Sequence, residues 1–280
     1  MMAGAAAIEP LRLVTGLGGR GSEPVTDVFV SMGGTGTGTS ARLPAEMQEL
    51  LASRPAAFVT FDKPGVHATF GDPASVRIDD GPFQRHTQGT LLDCARQALQ
   101  LSLARYGPAI RWHLRGHSEG ALLALFLFDE LLDTDPSLAQ HVKTLILSGL
   151  PLEPFAAITR RQLADHHDLA RAFEACDWTV MRAQGVSCSY LRDAEKRPSG
   201  RQMFERIAAW SPGIQIRVFQ ETADENTPAH FVRELEAWNV AQGHLDLGVR
   251  YYDGAHGGAP AIRREMSQLL LSLVPPDRAR

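Results

Sequence analysis

Cysteine is scarce in this chain: three residues among 280, Cys94, Cys176 and Cys188, widely spaced and with no C-x-x-C pair. That pattern argues against a disulfide framework or a cysteine-based zinc site, and the expectation is reduced thiols. Long apolar runs are missing too, the longest being Ala121 to Phe128, far short of a bilayer span. The opening MMAGAAAIEPLRLV has no basic stretch followed by an apolar one, so no secretory signal is read and a cytoplasmic protein is expected. A surplus of basic charge is absent as well: the net charge is -4, which leaves no electrostatic footprint for nucleic acid or an anionic membrane. Aromatics make up only 7%, yet 44% of residues are hydrophobic, ample for one large core.

What the chain has in quantity is alternation. After a short strand at 11–15, VFVSM (28–32), AFVTF (57–61), AIRWHL (109–114), VKTLILSGL (142–150), IQIRVFQ (214–220) and VRYYD (249–253) read as strands. Between them, helical spacing recurs near 43–51, 88–106, 119–133, 229–241 and 260–273, with Pro44 suited to a first helical position. The segment between AFVTFDKPG and Thr87 reads as a loop. Strands alternating with helices predict an α/β protein with a doubly wound, mostly parallel sheet. The segment 151–212 breaks the rhythm. Leu169, Phe173, Cys176 and Val180 share one helical face and RQMFERIAAW (201–210) suggests another helix, so an inserted helical cap over 151–212 is expected, with 1–150 and 213–280 forming the core.

Within this frame, LRGHSEGALLAL (114–125) places Ser118 between a strand and an almost wholly apolar helix, flanked by Gly116 and Gly120. G-H-S-E-G has the spacing of a nucleophile elbow, a turn so tight that side chains must be absent where strand and helix approach. A serine hydroxyl is a poor nucleophile near neutral pH and needs a base, oriented in turn by a carboxylate. His256, in G-A-H-G-G after VRYYD, and Asp224, in ETADENTP after IQIRVFQ, follow successive strands and can gather at the same sheet edge. Asp253 competes as the orienting acid and His244 as the base. His117 reads as a packing or hydrogen-bonding residue facing away from Ser118.

The ordered set M-G-G-T-G (32–36), F-D-K-P-G (61–65), G-H-S-E-G, D-E-N-T-P (224–228) and G-A-H-G-G (254–258) resembles the α/β-hydrolase superfamily, in particular its capped esterase and serine-aminopeptidase-like branch. The resemblance spans about residues 28 to 273. It implies an acyl-enzyme on Ser118, His256 as base and Asp224 orienting it, with no metal and no organic cofactor. It also implies an oxyanion hole from backbone N–H groups of Glu119 and of the loop at Gly34 or Thr35, whereas the Glu119 side chain is given no catalytic role and reads as solvated or as a helix cap. The family usually has a His-Gly pair after the first core strand, where this chain has Met32-Gly33.

The expected activity is hydrolysis of a carboxylic ester or thioester of a small to medium substrate. Acyl transfer or cleavage of a small peptide or amide would use the same residues. A non-catalytic ligand-binding member of the fold has no need of all three groups. A dinucleotide-binding oxidoreductase is the remaining rival, because VFVSMGGTGTGTS followed by AFVTFD imitates a strand, glycine loop, helix, strand and acid. Asp62 lies too far beyond Gly34 for the usual span of about 20 residues, and that reading leaves the later motifs unused. The run D-H-H-D (165–168) looks metal-like, but histidines adjacent on a helix diverge. Trp178, Met181, Tyr190 and Trp210 are candidates to line an apolar pocket or to form a core within the cap. The partner expected is a small-molecule substrate.

Overall fold

The structure is a computed structural model and describes residues 12–15, 24–34, 43–69, 72–210, 213–242, 245–257 and 260–274. Its elements in chain order are β1 (Arg12–Thr15), β2 (Asp27–Met32), α1 (Ala45–Ser53), β3 (Ala56–Thr60), β4 (Val66–Thr69), β5 (Asp72–Ile78), α2 (Asp80–Arg85) and α3 (Gln88–Tyr106). Then come β6 (Arg111–His117), α4 (Glu119–Thr134), α5 (Pro136–Ala139) and β7 (Val142–Ser148). Five helices follow: α6 (Phe155–Gln162), α7 (His167–Glu174), α8 (Trp178–Ala183), α9 (Cys188–Ala194) and α10 (Gly200–Trp210). The chain closes with β8 (Gln215–Glu221), α11 (Ala229–Gln242), β9 (Asp246–Tyr252) and α12 (Pro260–Leu273).

Seven strands form one sheet in the order β1-β3-β2-β6-β7-β8-β9. All neighbours pair parallel except β1, which runs antiparallel to β3. The strand residues alternate between two cores, as the pleat requires. Val28 and Val30 of β2 join Leu114, Leu145, Leu147 and Val218 in the larger core, which α3 and α4 cover. Phe29 between them faces the other way, with Phe58, Ile146 and Phe219, onto Met47 and Leu50 of α1 and Met266 and Leu270 of α12. Helix α4 is buried nearly all round because it lies between the sheet, α3 and α10. The α/β architecture expected from the alternation is therefore the one observed.

The excursion between β7 and β8 leaves and returns at one place. A Cβ on Gly200 would lie 2.2 Å from the Pro151 carbonyl oxygen, and the Arg201 N–H donates to the Leu152 carbonyl. Helix α10, beyond that point, packs onto α4 through Met203, Phe204 and Ile207 and belongs to the larger core.

Three expectations are corrected. The segment between β3 and Thr87 is not a bare loop: it holds the β4–β5 hairpin and α2, whose elements are too short to show a periodicity. The single helical face through Leu169 to Val180 is broken at Cys176, whose φ of 54 interrupts the helix, and Asp177 caps α8 by accepting the N–H groups of Thr179 and Val180. Cys176 and Cys188 are bonded in a disulfide, with a Cα–Cα distance of 5.8 Å. Their separation in sequence concealed it: the turn after α7 and the start of α9 meet only in the folded helical excursion. Cys94 is free and buried, and burial pushes its thiol up to about 12.

Candidate active site

Strand β6 ends at His117 and α4 begins at Glu119, so the whole change of direction falls on Ser118, with φ 53 and ψ -122. A non-glycine residue in this region is strained and is held there by its surroundings. The Ser118 N–H donates to the Ser148 carbonyl at the end of β7 (2.9 Å). The two flanking glycines are sterically required: a Cβ on Gly116 would sit 2.1 Å from the Gly120 carbonyl, and one on Gly120 would sit 2.2 Å from the Met32 carbonyl. This closeness lifts Ser118 above the sheet edge at the N-terminus of α4, where the first helical N–H groups have no intrahelical acceptor.

His256 follows β9, and its Nδ1 lies 2.7 Å from Asp224 Oδ2. With Nδ1 donating to the carboxylate, the lone pair of the neutral ring is on Nε2. Asp224 is buried and fully engaged: Oδ1 accepts the N–H groups of Asn226 (2.8 Å) and Thr227 (2.9 Å), and Oδ2 also accepts the Thr227 hydroxyl (2.5 Å). Burial alone would push this carboxyl up; the hydrogen bonds from His256 and Thr227 outweigh it and hold the group below the ordinary carboxylate value. Asp253 is exposed, and its Oδ1 accepts from the Thr222 hydroxyl at 3.3 Å. The rival base His244 lies outside the described residues.

Ser118, His256, Glu119 and Gly34 share the wall of one cavity of about 450 Å³. A Cβ on Gly34 would lie 3.7 Å from the Ser118 Cβ, so the loop after β2 passes directly beside the serine. Thr35, the alternative donor from that loop, is outside the described residues. The far walls are apolar and come from the helical excursion, among them Phe155 and Ile158 of α6, Leu169 and Phe173 of α7, and Leu191 of α9. Of the aromatic and sulfur residues singled out in the sequence, Tyr190 lines this cavity and is 1% exposed, Met181 is buried in the core, Trp178 packs against it and Trp210 is half exposed.

Sequence reading missed several supporting groups. Gln220 Nε2 donates to the Thr227 carbonyl (2.6 Å) and bridges toward Asp224 Oδ2, bracing the D-E-N-T-P loop; an Asp followed three residues later by Thr is the one local signal for it. Glu221 Oε2 accepts the Gly257 N–H (3.1 Å) and so steadies the histidine loop. His117 packs its ring 4.7 Å from that of His256, with Nδ1 3.1 Å from the Ser148 hydroxyl, and burial pushes its pKa down to about 4. It therefore stands neutral beside His256 above that pH. Glu119 is buried, and its Oε2 pairs with Lys63 Nζ at 3.0 Å, contrary to the expectation of a solvated or capping side chain. The D-H-H-D residues are all exposed, and Asp168 pairs with Arg171. Glu221, Asp224 and His256 place one ligand atom each within 4.8 Å of one another and could hold a cation, but protein donors already occupy their inward oxygens.

No protein-family model matches the chain, and no curated protein matches it in sequence. Solved structures do. A protein from Agrobacterium vitis S4 assigned to the hydrolases is 21% identical, with a TM-score of 0.61 over 95% of this chain and 100% of that one. A lipase in its open form is 14% identical, with a TM-score of 0.60 over 94% of this chain and 92% of its own. Est1E from Butyrivibrio proteoclasticus, with ferulic acid bound, is 15% identical, with a TM-score of 0.55 over 94% of each chain. At these identities the likeness is one of fold. The chain has the α/β-hydrolase fold.

Proposed function

We propose that the protein is a serine hydrolase that cleaves carboxylic esters of small to medium, largely apolar substrates through an acyl-enzyme on Ser118. The observation that carries this reading is the strained Ser118 elbow opening into the same cavity as a histidine hydrogen-bonded to a buried, ionised aspartate. His256 Nε2 takes the hydroxyl proton as Ser118 attacks the carbonyl and returns it to the leaving alcohol. Asp224 holds the ring in the tautomer this needs. Water then attacks the acyl-enzyme with His256 again as base. Backbone N–H groups of Glu119 and of the loop beginning at Gly34 stabilise the oxyanion, each donor contributing on the order of 3 kcal/mol. None of these steps draws on a metal or organic cofactor.

The excursion through α6–α9 acts as a cap whose apolar face receives the substrate chain. The close approach of Pro151 and Gly200 supports a cap that ends before α10, shorter than the 151–212 segment expected from the sequence. That the structural neighbours are lipases and esterases favours esters over amides. No helix among the described residues is long and apolar enough to cross a membrane. The disulfide in the cap fits an oxidising compartment better than the reducing cytoplasm first expected.

Ser118→Ala tests the reading. The folded variant should turn over a short p-nitrophenyl ester at least on the order of 10³-fold more slowly. Near-complete retention of turnover would remove Ser118 from the mechanism.

A further inference from the structure

The side chain that follows the nucleophile has no role in the scheme above, yet it is among the least accessible charges in the molecule. Glu119 is 4% exposed and Lys63, its partner, 8%. Lys63 comes from the F-D-K-P-G turn after β3. That turn is fixed by Gly65, whose φ of 79 and whose Cβ position, 2.5 Å from the Asp79 carbonyl, admit no side chain. From there Nζ reaches Glu119 Oε2 at 3.0 Å and the Gly185 carbonyl at 3.5 Å, and lies 5.6 Å above the centre of the Tyr190 ring. Gly185 and Tyr190 belong to the cap. The Tyr190 hydroxyl accepts from Gln88 Nε2 at the start of α3 (2.9 Å). One ammonium thus joins the elbow, the turn after β3 and the seat of the cap.

We propose that Lys63 is a positioning residue for the reaction at Ser118: it neutralises the Glu119 carboxylate beside the developing oxyanion and fixes the backbone N–H that receives that charge. The inference rests on the serine-hydrolase reading. A buried carboxylate one residue from the nucleophile repels a second negative charge, and in surroundings of low dielectric that repulsion falls on the transition state rather than on the neutral ester. Among the described residues, the titratable groups nearest the pair do not supply the missing charge. His86, between α2 and α3, is held neutral above about pH 4 by burial, and the Tyr190 phenol stays protonated for the same reason.

The test is Lys63→Met, with Lys63→Gln as the variant that keeps a polar group there if the first does not fold, each also combined with Glu119→Gln. In either single variant kcat should fall at least tenfold with KM for a short p-nitrophenyl ester changed less than threefold. Adding Glu119→Gln should recover at least tenfold of the lost kcat. A loss confined to KM, or a double variant as slow as the single, would each overturn the role of Lys63. Labelling of the parent protein by a fluorophosphonate separates the two levels: without a Ser118 adduct the serine-hydrolase reading itself fails, whereas labelling with unaltered kcat in the Lys63 variants refutes this inference alone.

Discussion

Replacing Asp224 by asparagine is the perturbation with the sharpest consequence. Asp224 Oδ2 accepts from His256 Nδ1 and from the Thr227 hydroxyl, while Oδ1 accepts two backbone N–H groups. The Oδ1 position has no use for a donor, so the amide oxygen of the substituted side chain takes those two N–H groups and its NH₂ is turned toward His256. An NH₂ facing Nδ1 stabilises the tautomer with the proton on Nε2, the atom that must be empty to receive the Ser118 proton. A wrong tautomer of this kind costs on the order of 10³ to 10⁴ in kcat, about 4 to 5.5 kcal/mol at the transition state. Asp253→Asn touches only an exposed hydrogen bond to Thr222 and should stay within about twofold, since surface changes away from such features have small effects. Both variants would be assayed on p-nitrophenyl butyrate, with circular dichroism to verify folding. A folded Asp224→Asn variant with more than a tenth of the parent kcat, or a larger loss in Asp253→Asn, would refute the assignment of the orienting acid.

Other outcomes follow from the same geometry. The native protein should show no thiol reactive to Ellman's reagent, because Cys94 is buried and Cys176 and Cys188 are bonded; mild reduction should release two. Two reactive thiols before any reductant is added would contradict the disulfide. Opening that loop should remove up to about 3 kcal/mol of stability from the α6–α9 excursion and raise KM for longer acyl chains, since α7, with no buried residue of its own, holds Leu169 and Phe173 against the cavity. An unchanged chain-length preference after reduction would place selectivity elsewhere. Stability should also fall in mild acid. His86 and His117 have folded pKa values near 4, below the ordinary 6.5, so the unfolded chain binds protons there that the folded one refuses. Each histidine should therefore lower stability by on the order of 1 kcal/mol per pH unit as pH drops from about 6.5 toward 4. Urea midpoints that do not move between pH 7 and 5 would contradict this.

The frame of the molecule was open to reading because its periodicities are strong. Helices α3 and α12 fall where the spacing put them, and the strands β2, β3 and β7 are each built around a short buried apolar stretch: Val28 to Val30, Ala56 to Val59 and Leu145 to Leu147. Ser118, Asp224 and His256 stood out for a related reason: each follows a strand, and a parallel sheet collects such positions at one edge. What escaped depends on pairs far apart in the chain. Lys63 meets Glu119 across 56 residues and Gln88 meets Tyr190 across 102, so nothing near either residue announces the other. The Cys176–Cys188 bond was hidden because its cysteines lie 12 residues apart with α8 between them, and because the left-handed Cys176 breaks what looks like one helical face. The hairpin of β4 and β5 is short and bulged, and its pairing rather than its pattern makes it a strand pair.

The central claim is that Ser118 is a nucleophile activated by its surroundings. The direct measurement is intact-mass analysis after treatment with a fluorophosphonate probe, followed by peptide mapping, on the parent protein and on Ser118→Ala. The account predicts one stoichiometric adduct, located on Ser118 and absent from the variant. No adduct on the parent, or one that persists in Ser118→Ala, would contradict it.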